Sequence, residues 1–186
     1  MSNMTPEDLY NQLLSVQGKI TTPMPQESPR SNKSNIELVR SLNVLLANTA
    51  SLYHEAHGFH WNVKGTDFAQ YHELFGEIYE FLFGNIDPTA ENILKCGFDA
   101  PFHMSDFIKL RTIPEYDPED TPQAMAMSLL SGINELCMNL KDSFDIANGL
   151  DEQGISNFIA GYLDEAQKWA WQLRASLGLQ RPNTLF

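Results

Sequence analysis

The chain has 186 residues, 42% of them hydrophobic, and a formal net charge of −12. That length fits one domain with a sizeable core. The acidic balance argues against nucleic acid as the main partner, because phosphate repels an acidic surface; it suits a protein that attracts cations, or one that simply stays soluble. No apolar run approaches the roughly 20 residues that a membrane-spanning helix needs, and the N-terminus lacks the basic-then-apolar order of a secretory signal. The two cysteines, Cys96 and Cys137, imply no disulfide framework and are expected as reduced thiols in a cytoplasmic protein.

The first 34 residues read as a tail. Pro6, Pro23, Pro25 and Pro29 stand there among Ser, Thr, Gln and Asn. A short helix fits residues 7–16, and the run GKITTPMPQESPRSNKS reads as irregular and mobile. Lys19, Arg30 and Lys33 balance Glu7, Asp8 and Glu27, so this tail is neutral. Residues 35–178 read as four long helices. The first opens on a capping box, Ser34 with Glu37 three residues on, and carries Leu38, Leu42, Leu45, Leu46, Leu52 and Tyr53 at helical spacing. It ends near residue 61, and the turn NVKGT has Gly65 as its breaker. The second helix spans residues 67–95, with a broad apolar face of Phe68, Tyr71, Leu74, Phe75, Ile78, Leu82, Ile86, Ile93 and Leu94. A long connection over residues 97–120 contains SDFIKLRT, which fits a short helix lying across the long ones. The third helix opens at Thr121 as N-cap, with Pro122 in the first helical position, and ends at Asn148 and Gly149. The fourth covers residues 155–177 and stops at Gly178, leaving 179–186 as an irregular tail. No strand-period alternation competes, so the fold class is all-α. The pattern describes a ferritin-like four-helix bundle with a short helix in the long connection between helices two and three; that connection lets those two helices run parallel.

Within the first two helices, His60, His72, Asp87 and Glu91 stand out. Two histidines and two carboxylates form a ligand set for a divalent transition metal such as iron. His72 and Asp87 lie fifteen residues apart on one expected helix, roughly 22 Å along its axis at 1.5 Å per residue. A metal binds its ligands at about 2.0–2.2 Å, so these two cannot share one within a subunit. The four split into a His60–His72 pair across a short turn and an Asp87–Glu91 pair one helical turn apart. A two-fold dimer with antiparallel second helices would bring one subunit's histidines to the other's carboxylates and create two equivalent sites. The bland alternatives are two unrelated histidines and a solvated acidic face. No Glu in the chain has a His three residues on, so a di-iron centre of the Glu-x-x-His type within one chain is not expected.

The run HWNVKGTDFAQYH, followed by DPTAE, resembles the Dps family, the starvation-induced mini-ferritins. The resemblance covers about residues 36–178, including LNVLLAN and WQLRASLG. It implies a hollow homo-oligomer, a dodecamer of tetrahedral symmetry built from two-fold dimers, with ferroxidase sites between subunits. It implies oxidation of Fe(II), preferentially by hydrogen peroxide, and storage of ferric mineral inside the shell. His60 and His72 would then supply imidazole nitrogens from one subunit, and Asp87 and Glu91 anionic oxygens from its neighbour; manganese or zinc would compete with iron. Trp61 would lie beside the site and intercept stray oxidising equivalents, or else be a core aromatic.

The chain also departs from that pattern. Pro88 follows Asp87 inside the expected helix and predicts a kink or bulge that re-aims the carboxylates. Gly76 stands where the family often has an acid that holds a second iron, with Glu73 and Glu77 nearby but pointing differently. His54 and His57 precede His60 near the same face and are candidates for extra ligands or proton relays. Asn148, Gln153 and Asn157 replace frequent pore-lining acids, leaving Asp151 and Glu152 as candidates for iron entry. DNA binding in the family usually depends on a basic tail, so DNA compaction by this neutral tail is not expected. Three readings follow: a peroxide-consuming ferroxidase and iron-storage cage, a DNA-binding architectural protein, or a cage with weakened iron chemistry.

Overall fold

The structure is a computed structural model that describes residues 32–118 and 121–180. The expected N-terminal tail up to residue 31, with its short helix, lies outside those residues, as does most of the C-terminal one; residues 32–34, expected in the tail, are helical instead. Four long helices and one short one are seen among the described residues: α1 (Asn32–Asn62), α2 (Phe68–Lys95), α3 (Met104–Leu110), α4 (Pro122–Gly149) and α5 (Gln153–Ser176). Each expected long helix is present, and SDFIKLRT forms most of α3.

The helix boundaries shift by up to three residues, the largest shift being the start of α1. α1 begins at Asn32, so Ser34 is inside the helix and is not its N-cap. At α4 the expectation and the structure agree: Thr121 Oγ1 accepts from the Ala124 amide at 3.2 Å, with Pro122 opening the helix. α4 runs on through Gly149 to a cap at Leu150. The left-handed residue that turns the chain is Asp151, with φ 63°, not Gly149. An Asp tolerates that conformation better than most side chains.

Side-chain contacts fix the topology. His60 meets His72 and Tyr53 meets Phe83, so α1 and α2 are antiparallel. Ser41 bonds Ser143 and Asn48 bonds Asn139, so α1 and α4 are antiparallel too. α2 and α4 therefore run parallel, as the long connection requires. Tyr71 reaches Ser176, and Phe81 packs on Tyr162 and Trp169, which places α5 beside α2. α3 packs on α1.

Leu42, Leu45, Leu52, Phe75, Ile78, Leu82, Leu129, Ile133, Leu136 and Leu140 are fully enclosed between the helices. Each such side chain contributes roughly 1.5–3 kcal/mol by leaving water. The apolar face expected on α2 is narrower than its sequence suggests: Phe68 and Leu94 are exposed, and Leu74 and Ile86 are only partly covered. At Gly132 the bundle is tight, because a side chain there would run into Leu52 across the α1–α4 contact.

Several polar groups inside the bundle pair with one another, whereas Ser156 Oγ and Asn43 Oδ1 are enclosed without a partner. Tyr162 donates to Thr49 Oγ1 at 2.9 Å, and Thr49 donates in turn to the Leu45 carbonyl at 2.8 Å. Cys96 and Cys137 are both free thiols. Burial pushes the Cys137 thiol up to about 11, against the lowering effect of Lys141 and Arg174, so it is packing rather than chemistry that the residue supplies.

Candidate functional site

His60 sits in the last turn of α1 and His72 in the second turn of α2, brought face to face by the 63–67 turn. That turn is closed by Val63 N–H donating to the Phe59 carbonyl and Phe68 N–H donating to the Gly65 carbonyl. The two imidazole centroids are 3.7 Å apart. His60 Nδ1 lies 2.8 Å from the His72 carbonyl oxygen. A carbonyl can only accept, so Nδ1 carries the proton and, in the neutral ring, Nε2 keeps its lone pair. A second hydrogen bond of this kind is how metal-ligating histidines are commonly held in one tautomer.

Aromatic rings wall the pair. Tyr79 approaches His60 edge-on at 5.2 Å, and Phe68 lies 5.0 Å from His72. His57 is sandwiched between Trp61, at 4.2 Å, and Tyr79, at 4.3 Å. Trp61 is 67% exposed, which overturns its alternative reading as a core aromatic of this chain. Tyr79 does not stand out as a site residue in the sequence, although its position seven after His72 places it on the same face of α2.

Asp87 and Glu91 project from the far half of α2, both exposed. α2 is continuous from Phe68 to Lys95 with Pro88 inside it. The kink or bulge expected at Pro88 does not break the helix. Pro88 withholds a donor only from the Gly84 carbonyl, and Gly84 is exposed to water. Side chains brace the same stretch. Asn85 donates to the Phe81 carbonyl, Thr89 to Asn85 and Asn92 to Pro88, at 2.6–2.8 Å. Thr89 and Asn92 are buried, so packing holds α2 in register here.

Because the helix is continuous, the histidines and carboxylates stay about 22 Å apart along its axis. Among the described residues no three His, Cys, Asp or Glu side chains form a group that could hold a metal. The chain therefore keeps the histidine pair and the carboxylate pair at opposite ends of α2, with exposed Phe83 and half-buried Tyr79 between them.

The other candidates fall elsewhere. His57 lies 6.3 Å from His60, whereas exposed His54 turns toward a different groove. That groove, of about 1060 Å³, runs between α1, α3 and the connection, with Glu55, Phe59, Phe107, Arg111 and Tyr116 in its walls. Glu55 Oε1 is enclosed without a hydrogen-bond partner. Burial first, and Glu115 second, raise its carboxyl to about 7, against the opposing effect of Arg111. Arg111 is itself paired with Glu115 at 2.8 Å. Glu73 and Glu77 are exposed on α2. Asp151 and Glu152 lie in the α4–α5 turn, where Gln153 donates to Asp151 at 3.3 Å, with Asn148 and Asn157 exposed beside them.

The ferritin-like domain family matches residues 39–181. A DNA protection during starvation protein of Bacillus anthracis is 32% identical over 143 residues, 77% of this chain and 98% of that protein. Among solved structures, the Dps protein of Vibrio cholerae O1 superposes with a TM-score of 0.75 at 30% identity, over 78% of this chain and 91% of its own. That protein is described as a member of a broad superfamily of ferritin-like diiron-carboxylate proteins. The Dps protein of Bacillus brevis superposes with a TM-score of 0.76 at 28% identity, over 79% of this chain and 99% of its own. With its bundle, its long crossover and these matches, the chain belongs to the Dps branch of the ferritin-like family.

Proposed function

We propose that this protein is a ferroxidase and iron-storage subunit whose sites are completed between two-fold-related copies. The observation that carries the reading is the His60–His72 pair, with Nδ1 of His60 bonded to the His72 carbonyl and Nε2 left free. Asp87 and Glu91 stand on the same continuous helix but out of reach. In an antiparallel α2–α2 pair, His72 meets the opposite carboxylates when the two-fold passes near Tyr79 to Phe83. Phe83 is 62% exposed, which suits a residue covered by a second copy.

Fe(II) is the substrate. Neutral imidazoles on one side and carboxylates on the other suit Fe(II), and the anionic oxygens favour the ferric product. Two Fe(II) ions each give one electron to hydrogen peroxide, its O–O bond breaks, and hydrolysis of the ferric product releases protons. The net charge of −12 would draw cations to the shell. A dodecameric shell, mineral storage, protection from oxidative stress and a cytoplasmic setting complete the reading. Asp151 and Glu152 are its proposed entry acids.

Anaerobic Fe(II) loading followed by peroxide, then by dioxygen in a parallel sample, tests it. Ferric absorbance should rise faster than in protein-free buffer, and faster with peroxide. No acceleration with either oxidant would leave the weakened cage as the better description. Relatives named for DNA protection favour a second reading, DNA binding. A gel shift at low salt is its test, and no retardation is expected from an acidic body with a neutral tail.

A further inference from the structure

The groove between α1, α3 and the connection has no part in the proposed iron chemistry. Its volume of about 1060 Å³ is at the upper end for pockets that take small organic molecules. Phe59, Phe107 and Tyr116 stand half-buried in its walls, and Met104 and Met125 line it too.

One polar atom there stands apart. Glu55 lines the groove, and its Oε1 is enclosed without a hydrogen-bond partner. Enclosed oxygens are nearly always paired, because leaving one unpaired costs roughly 1–3 kcal/mol. The guanidinium in the same wall does not fill the gap, since Arg111 is held by Glu115 at 2.8 Å. Of the described lining residues, Glu55, Glu115 and Asp117 are acids and Arg111 is the only Lys or Arg, so negative charge prevails. A bare metal ion does not suit the groove, because among the described residues no three His, Cys, Asp or Glu side chains form a group that could hold one. What the walls offer is one carboxylate oxygen for an N–H donor, and aromatic rings for a cation with an apolar body.

We propose that this groove binds a small organic ammonium ion, which donates an N–H to Glu55 Oε1 and lays its apolar body among Phe59, Phe107 and Tyr116. The site is independent of the ferroxidase reading. A quaternary ammonium brings the charge but no N–H, and a neutral alcohol brings a donor but no charge, so recognition requires both.

The test uses the full-length, assembled protein in phosphate buffer, free of competing amines, at about pH 8, above the Glu55 midpoint of about 7. The probes are phenethylamine, phenethyl alcohol and phenethyltrimethylammonium, with affinities measured by calorimetry. Carbon-13-labelled methionine methyls report the location by NMR, with Met104→Leu and Met125→Leu identifying the two groove signals. Phenethylamine should bind at least about tenfold more tightly than the other two probes, as a charged hydrogen bond requires. It should shift the Met104 and Met125 signals. Glu55→Gln keeps the shape of the side chain and should lower phenethylamine affinity at least about tenfold. Equal affinity for the three probes would overturn the proposal, as would unchanged affinity in Glu55→Gln. Shifts confined to methionines outside the groove, or no binding of the amine to the assembled protein, would do the same. A wild type that takes the amine but does not oxidise Fe(II) would retain this site while the ferroxidase reading fails.

Discussion

Asn48 and Thr112 exchange two hydrogen bonds across 64 residues of chain. Asn48 Nδ2 donates to Thr112 Oγ1 at 2.9 Å, and the Thr112 amide donates to Asn48 Oδ1 at 2.8 Å. The Ile113 amide donates to the same oxygen at 3.2 Å, and Asn48 Nδ2 also donates to Asn139. One fully buried amide thus ties the long connection to both α1 and α4. Asn48→Ala should leave these groups without partners and cost roughly 2–3 kcal/mol. Denaturant unfolding at fixed protein concentration measures it. A loss below about 0.5 kcal/mol would show that the clamp is not important to stability.

The two half-sites make a complementation prediction. His60→Ala and Asp87→Ala should each abolish the fast phase of Fe(II) oxidation. If sites form between copies, a mixed dimer has one intact site, built from the intact half of each variant. Equal amounts, unfolded and refolded together, should recover about a quarter of the wild-type sites. Recovery of none, with mixed oligomers confirmed by mass, would place the complete site within one chain.

Glu55 makes a prediction about pH. Its carboxyl is raised from 4.5 to about 7, mainly by burial. The folded state therefore holds a proton that the unfolded state releases above 4.5. The stability cost is absent below that pH, grows between 4.5 and 7 and is complete above 7. Each pH step of one across that window is worth about 1.4 kcal/mol. Glu55→Gln should accordingly stabilise the protein by up to about 3 kcal/mol at pH 8, and by little at pH 4. Melting temperatures of both proteins across this range check it. Equal gains at both ends would assign the effect to packing instead of ionisation.

Gly132 and Leu52 should be energetically coupled. Gly132→Ala forces a methyl into Leu52 and should cost about 1–3 kcal/mol, despite alanine's better helix propensity. In a Leu52→Ala background the same change should cost much less. A double-mutant cycle with no coupling would mean that the helices part without strain.

The fold is largely legible in the sequence because its signals are local. Leu38, Leu42, Leu45 and Leu52 repeat at the helical period, and all are buried. Thr121 and Pro122 announce α4, and the spacing of His60 and His72 survives folding as a pair. What is not legible depends on partners distant in sequence. Asn48 looks like a mere interruption of an apolar run until Thr112 and Asn139 are beside it. Phe68 and Leu94 have core chemistry but point outward, since periodicity marks an apolar face without saying how much of it one subunit covers.

The unbroken α2 also acts as a ruler. Each residue advances the helix by about 1.5 Å and turns it by about 100°, so the spacing from His72 to Asp87 fixes both how far apart and at what relative angle the two half-sites stand. A single-residue deletion between them would swing the carboxylates about a quarter turn out of line, whatever the rest of the surface did. In the proposed two-fold pair, two copies of the same chain carry identical rulers and, laid antiparallel, would match at both ends at once. A partner with a different count would match at only one, so in that pair the helix would select its own kind.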